Sequence, residues 1–196
     1  MSFSSDGIPN HEYLDAYLAD GKGGKYVSGG VKSYSNNHTI PLTPTKLDSP
    51  QTTSNGTIGV SVSGGVFFNP YEGDGSGTIA IDDQSYINGI PFIDPCNGHP
   101  LPDGTVYHYH GVPYCVSSAI DKDGEHSHIV GYLLDGYPIY GPQGDGGETP
   151  TDLDSSLGHF GMTPEFPEGV YHYHTLKTSP YVPNCFHGKE TQGGRA

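Results

Sequence analysis

Three pairs of histidines, each pair separated by one residue, are the part of this sequence best suited to chemistry. The pairs are His108 and His110, His126 and His128, and His172 and His174. In a β-strand, successive side chains point to opposite faces, so the two histidines of a pair project to the same side. Their rings then start about 7 Å apart at the backbone, which lets them converge on one ion.

Imidazole groups favour zinc, copper, iron and nickel, whereas sites built from carboxylates alone suit calcium and magnesium. We therefore expect a transition metal, with copper and zinc as the leading candidates. The expected ligands are His108, His110, His126, His128, His172 and His174. Two alternatives remain open: a ladder of Tyr and His rings that only rigidifies a sheet, and a metal-free site that uses histidine as acid and base.

An internal repeat surrounds two of these pairs. Segment 94–115 contains, in order, Asp, Gly-His, Pro-Asp-Gly, Tyr-His-Tyr-His, Pro-Tyr and Cys, and segment 154–185 contains nearly the same series. We interpret the repeat as an internal duplication that yields two pseudo-equivalent strands, Tyr107–His110 and Tyr171–His174. The two strands are expected to lie opposite each other and share one site. His99 and His159 occupy matching positions, as ligands or as partners of ligands.

The composition favours a mainly β fold, because 30 Gly and 17 Pro punctuate short apolar and aromatic runs. Strands are predicted at 58–62, 66–68, 78–81, 105–110, 129–134, 138–140 and 170–174. Short helices are candidates only at 11–18 and 82–87. We expect one compact domain of short strands and long loops at 56–190, with a loop-rich N-terminal segment at 1–55 packing on it and a flexible tail at 191–196.

The charge balance limits the partners. The formal net charge is −14, with only 8 Lys and Arg, so the chain lacks the basic face that nucleic acids and anionic membranes require. No apolar stretch has the length of a signal peptide or a transmembrane helix. We expect a metal ion as the main partner and no membrane insertion, with self-association or a surface glycan as further options.

The repeat also organises the three cysteines. Cys115 and Cys185 end the two copies, and Cys96 matches Ser156. The simplest interpretation is a Cys96–Cys115 disulfide with Cys185 left free, which suits an oxidising compartment. The alternative is a cysteine metal ligand, with Cys185 as the leading candidate.

Several segments resemble the YHYH family of bacterial proteins. They are the two Tyr-His-Tyr-His motifs, Asp135-Gly-Tyr-Pro-Ile-Tyr-Gly-Pro142, Gly7-Ile-Pro-Asn-His11 and the stretch from Gly59 to Pro70. Members are mostly exported proteins, so the resemblance implies an extracellular or periplasmic location. The absence of a signal sequence is the one departure from that pattern. The resemblance implies no particular activity.

Two classes of function follow from these patterns. The first is an exported copper- or zinc-binding protein, either a non-catalytic one or a metalloenzyme of unknown substrate. The second is a non-catalytic extracellular structural or interaction module, such as an adhesin, a filament subunit or a virion subunit. A carbohydrate-binding domain with stacking tyrosines is a third option.

Overall fold

The computed structural model describes residues 1–11, 31–83, 86–87, 90–91 and 93–191. The helix candidate at 11–18 lies outside these residues, apart from His11. The strands are β1 (Ser2–Ser5), β2 (Asn36–Thr39), β3 (Lys46–Thr52), β4 (Thr57–Ser61), β5 (Val66–Phe68), β6 (Tyr86–Ile87), β7 (Ile90–Pro91), β8 (Gly98–His99), β9 (His108–Tyr109), β10 (Ile129–Leu133), β11 (Pro138–Tyr140), β12 (Gly158–Gly161), β13 (Val170–His174) and β14 (Cys185–Gly188). Helix α1 spans Tyr114–Ile120, and a short 3-10 helix spans Asp145–Gly147.

Eight strands form one mixed sheet in the order β12-β13-β11-β10-β4-β5-β9-β8. The other strands pair two by two, as β1–β2, β3–β14 and β6–β7. Short β-branched and aromatic runs bounded by Gly, Pro and Asn produce these strands, since such side chains suit a half-buried pleated surface. The fold is mainly β, as the sequence predicts.

The large sheet consists of two halves with the same connectivity. Each half begins with a hairpin, β4–β5 or β10–β11. A YHYH strand then pairs in parallel with the second hairpin strand, β9 with β5 and β13 with β11. A Gly-His strand, β8 or β12, pairs antiparallel on the outer side. The repeat is thus larger than segments 94–115 and 154–185, because it includes the hairpins; its origin by duplication stays a hypothesis.

The two halves meet between β4 and β10, where the register is symmetric. Val60 lies opposite Tyr132, and the flanking pairs are Ser61 with Gly131 and Gly59 with Leu133. Equivalent residues exchange places across these pairs, as expected for a two-fold axis perpendicular to an antiparallel pair. This symmetry places the histidines of both YHYH strands on the same face of the sheet.

The tyrosines of the YHYH strands occupy the other face. Tyr107, Tyr109 and Tyr173 are buried in the main hydrophobic core together with Phe67 and Ile139. The Tyr107 hydroxyl donates to Asp94 at 2.6 Å and the Tyr173 hydroxyl donates to Asp135 at 2.5 Å. The predicted separation of tyrosines from histidines by strand alternation is confirmed.

Some of the other predicted strands and helices are confirmed and others are wrong. Strands β5, β11 and β13 have the predicted bounds, but segment 78–81 forms only an isolated bridge from Ile79 to Tyr71. In segment 105–110, only His108–Tyr109 is a strand. The helix candidate at 82–87 is wrong, since Tyr86–Ile87 pairs as a strand, and helix α1 was not predicted. The boundaries proposed at 55 and 190 stay a prediction.

The predicted disulfide between Cys96 and Cys115 is present, with a Cα–Cα distance of 5.2 Å. Cys185 is free and buried, and its sulfur contacts the hydroxyl of Ser156. Since Ser156 matches Cys96 in the repeat, the second half has a serine–cysteine contact where the first half has a covalent bond. The free thiol also agrees with the sequence interpretation.

Replacing both Cys96 and Cys115 by serine is expected to lower the free energy of unfolding by about 3 kcal/mol, because the unfolded chain loses a cross-link that closes a short loop. Urea denaturation followed by circular dichroism measures the change. The control is Cys185→Ser, which removes a sulfur and no cross-link. An equal loss of stability in this control would mean that the effect comes from side-chain packing and not from the cross-link.

Among the described residues, no helix has the length and apolar character that crossing a membrane requires.

Candidate metal centres

The buried histidines form two separate clusters, one in each half of the large sheet. Cluster A consists of His99, His108 and His110, and cluster B consists of His126, His172 and His174, with His159 beside it. Within each group of three, the candidate ligand atoms all lie within 4.8 Å of one another. The prediction of one site shared by both YHYH strands is wrong, because β5, β4, β10 and β11 lie between β9 and β13.

Cluster B is organised around His172. The Nε2 atom of His172 lies 3.1 Å from Nε2 of His174, 3.1 Å from Nε2 of His159 and 3.3 Å from Nε2 of His126. Two nitrogen ligands of a tetrahedral zinc ion, each about 2.0–2.1 Å from the metal, are themselves about 3.3–3.4 Å apart. The spacing around His172 therefore fits a set of imidazoles that surrounds one ion.

Hydrogen bonds at Nδ1 fix the tautomers in cluster B. Nδ1 of His172 lies 3.0 Å from the Val170 carbonyl, and Nδ1 of His174 lies 2.8 Å from the Gly141 carbonyl. A carbonyl only accepts, so Nδ1 carries the proton and Nε2 of the neutral ring keeps its lone pair. His126 has the same bond to its neighbour, the Ser127 carbonyl, at 2.7 Å. Lone pairs that face one another need a shared proton or a cation between them.

Cluster A repeats this arrangement with three imidazoles. Nδ1 of His108 donates to the Val106 carbonyl at 2.7 Å, and Nδ1 of His110 donates to the Asn69 carbonyl at 2.9 Å. Nδ1 of His99 lies 3.0 Å from the carbonyl of the next residue, Pro100. Val106 itself has a φ of 51°, a strained conformation for a β-branched residue. The strained backbone thus aims the carbonyl that orients His108.

Burial keeps these rings neutral. Desolvation lowers the pKa of His99 to about 3 and that of His110 to about 4, and it places the pKa of His108 well below the usual range. In cluster B, desolvation lowers the pKa of His172 to about 4 and that of His174 to about 3. At neutral pH these five rings therefore offer unprotonated nitrogen, which is the form that binds a metal.

The Gly-His strands bring a further imidazole to each cluster. His99 lies directly opposite His108 in the β8–β9 pair, and His159 lies directly opposite His172 in the β12–β13 pair. The preceding glycines permit this approach, because a Cβ at Gly98 would collide with the hydroxyl of Tyr107. Gly158 stands in the same relation to Tyr171. The matching Gly-His positions in the repeat were the sequence signal for these two histidines.

One predicted ligand lies elsewhere. His126 joins cluster B, but His128 does not: its Nδ1 contacts Glu165 at 2.7 Å. The period-two argument failed here because strand β10 begins only at Ile129. The other five predicted ligands are each placed in a cluster, and their binding of an ion stays a prediction.

A third group, His11 with Cys96 and Cys115, has candidate ligand atoms equally close together. Its two sulfurs are joined in the disulfide and offer no thiolate. His11 instead contacts this disulfide, with Nδ1 3.6 Å from the Cys96 sulfur, and the hydroxyl of Tyr109. We assign this group to the core of the first half.

The fold and the two clusters define a mixed β-sheet protein with one histidine-rich centre in each half. The chain belongs to the YHYH protein family, whose family model matches residues 37–148 and 144–188. None of the curated proteins matches the chain. No solved structure matches it.

Proposed function

We propose that this protein binds two transition-metal ions, copper or zinc, one in cluster A and one in cluster B. The observation that carries the proposal is the grouping of candidate ligand atoms within 4.8 Å of one another in each cluster, on rings whose Nδ1 atoms all bond to hydrogen-bond acceptors. Metal-binding histidines commonly donate the other ring nitrogen to a carbonyl or carboxylate, which fixes the ring and raises its basicity. His159 follows the same rule, since its Nδ1 lies 2.9 Å from the carboxylate of Asp152.

The donor set favours copper and zinc. Both clusters are built from imidazoles, which bind these two ions strongly and bind calcium or magnesium weakly. The disulfide supports an oxidising compartment, so the proposed location is outside the cytoplasm, in the periplasm or the extracellular space.

The test is the metal content of protein purified without a chelator or a histidine tag, incubated with copper or zinc and then dialysed. Mass spectrometry of the metals measures how many ions each chain retains. We expect about two, since each cluster supplies at least three imidazoles. The matched control carries four alanine substitutions, at His99 and His110 in cluster A and at His126 and His174 in cluster B. We expect this variant to retain no metal. A wild-type chain that keeps no stoichiometric metal would contradict the proposal.

A non-catalytic interaction module is the second candidate. Phe160 in β12 is 71% exposed and Met162, just after this outermost strand, is 64% exposed. Exposed apolar side chains beside an unpaired strand edge are typical of an interaction surface. This candidate predicts that the metal-free chain stays folded and associates through β12, with itself or with another surface component.

A further inference from the structure

We propose that the two centres differ in access: an ion in cluster A keeps one coordination position open to a cavity, whereas an ion in cluster B is enclosed by imidazoles. The open position would take a small ligand with an oxygen or nitrogen donor. This inference rests on the proposed function, because it assumes that both clusters hold an ion.

The first observation is the cavity itself. All three histidines of cluster A line one cavity of about 240 Å³. Its other walls are formed by Asn55, Phe68, Asn69, Tyr71, Glu72 and Leu101, among others. Phe68 stacks on His108 with a centroid distance of 3.8 Å and closes one side. Beside cluster B, by contrast, the depression lined by Asp145, Glu148 and Asp152 reaches His159, and none of the three central histidines lines it.

The second observation is the difference between the two halves at one matching position. His126 lies three residues before β10, and the residue three positions before β4 is Ser54. The register of the two hairpins is equivalent, since Ile129 pairs with Tyr140 as Thr57 pairs with Phe68. Cluster B therefore has an imidazole where the first half has the short, exposed side chain of Ser54, whose neighbour Asn55 lines the cavity.

The cavity limits what could bind there. Its walls combine apolar groups, such as Phe68 and Leu101, with the polar side chains of Asn55 and Glu72. A ligand of up to about ten non-hydrogen atoms fits this space and finds hydrogen-bonding groups around it, since a cavity of about 150 Å³ already holds benzene. A drug-sized substrate does not fit. Water and a small inorganic anion belong to the expected class.

Azide is a suitable probe, because its binding to copper(II) produces a charge-transfer absorption band. Two variants separate the centres: His99→Ala/His110→Ala removes cluster A, and His126→Ala/His174→Ala removes cluster B. With copper loaded, we expect the azide band in the wild type and in the variant without cluster B, and its complete loss in the variant without cluster A. A third variant, Ser54→His, supplies an imidazole at the matching position and is expected to weaken azide binding at least tenfold.

The copper content of each sample is measured before and after azide, so that two failures are distinguishable. If no sample retains copper, the proposed function fails and this inference fails with it. If copper is bound but the azide band persists without cluster A, or is absent from a wild type with both centres filled, the difference in access is refuted. Metal binding would stand in that case.

Discussion

Replacing His172 by alanine is expected to abolish metal binding at cluster B and to leave one ion per chain at cluster A. Nε2 of His172 is the common neighbour of the three other Nε2 atoms in that half, at 3.1–3.3 Å. Loss of an outer hydrogen-bond partner of a ligand already weakens metal affinity about 10- to 100-fold, so loss of this ligand should weaken it by at least about 100-fold. Competition with a chromophoric chelator measures the affinity, and mass spectrometry measures the metal per chain.

The matched control is His128→Ala. His128 belongs to the same predicted pair as His126 but contacts Glu165 instead of the cluster. This variant should keep two ions with unchanged affinity. Loss of both ions in a folded His172→Ala variant would indicate a single shared site. Equal losses of metal in His172→Ala and His128→Ala would mean that His128, like His126, belongs to the site.

The metal-free protein is expected to lose several kcal/mol of stability between about pH 6.5 and pH 5. Five buried histidines, three in cluster A and two in cluster B, have pKa values lowered by desolvation. In the unfolded chain each would titrate near its ordinary pKa of about 6.5. One such group changes the free energy of unfolding by up to about 1.4 kcal/mol per pH unit. Five such groups together therefore change it by several kcal/mol.

The sign follows from proton binding. Well above pH 6.5 these five histidines are neutral in both states, so the pH has no effect through them. Below pH 6.5, the unfolded chain binds protons that the buried rings of the folded chain do not bind. Falling pH therefore favours unfolding until the folded pKa values near 3 to 4 are reached. Burial raises the pKa of Asp94, Asp135 and Glu190, which acts in the opposite direction but involves fewer groups.

Urea denaturation at a series of pH values measures this dependence. His110→Gln removes one of the five groups and keeps a donor for the Asn69 carbonyl, so its stability should fall less steeply with pH. His128→Ala removes a half-buried ring outside the clusters and should follow the wild type. A free energy of unfolding that stays constant from pH 7 to pH 5 would mean that the histidines are not held neutral by burial.

Strand alternation in the sequence predicted much of the local structure. It placed β5, β11 and β13 at their observed bounds and separated the tyrosines from the histidines. These features depend only on residues next to each other in the chain. The disulfide was also predictable, because the repeat aligned Cys96 with Ser156 and Cys115 with Cys185.

The division into two clusters was not predictable from the same signals, because it depends on which strands pair. The repeat around the YHYH motifs indicated that the two strands occupy equivalent places in the fold. From that equivalence we predicted that the two strands lie opposite each other. The hairpins β4–β5 and β10–β11 belong to the repeat as well, and their pairing at the centre of the sheet pushes the YHYH strands apart. Gly59, Gly64 and Pro70 precede Gly131, Gly136 and Pro142 by the same number of residues, and these matches are the sequence signal for the larger unit.

The outermost strands of the sheet, β8 and β12, each carry one histidine opposite a YHYH strand. Within the part of the chain that the structure describes, each of these strands pairs with a strand on one side only, and the outward backbone groups of Gly98 and Gly158 bond to Asp94 and Asp154. An ion that bridges His99 and His108, or His159 and His172, would fasten each border to its neighbour. Loss of the ions would then loosen the sheet at both borders first, and a border strand that separates from its neighbour exposes the unpaired backbone groups from which aggregation begins.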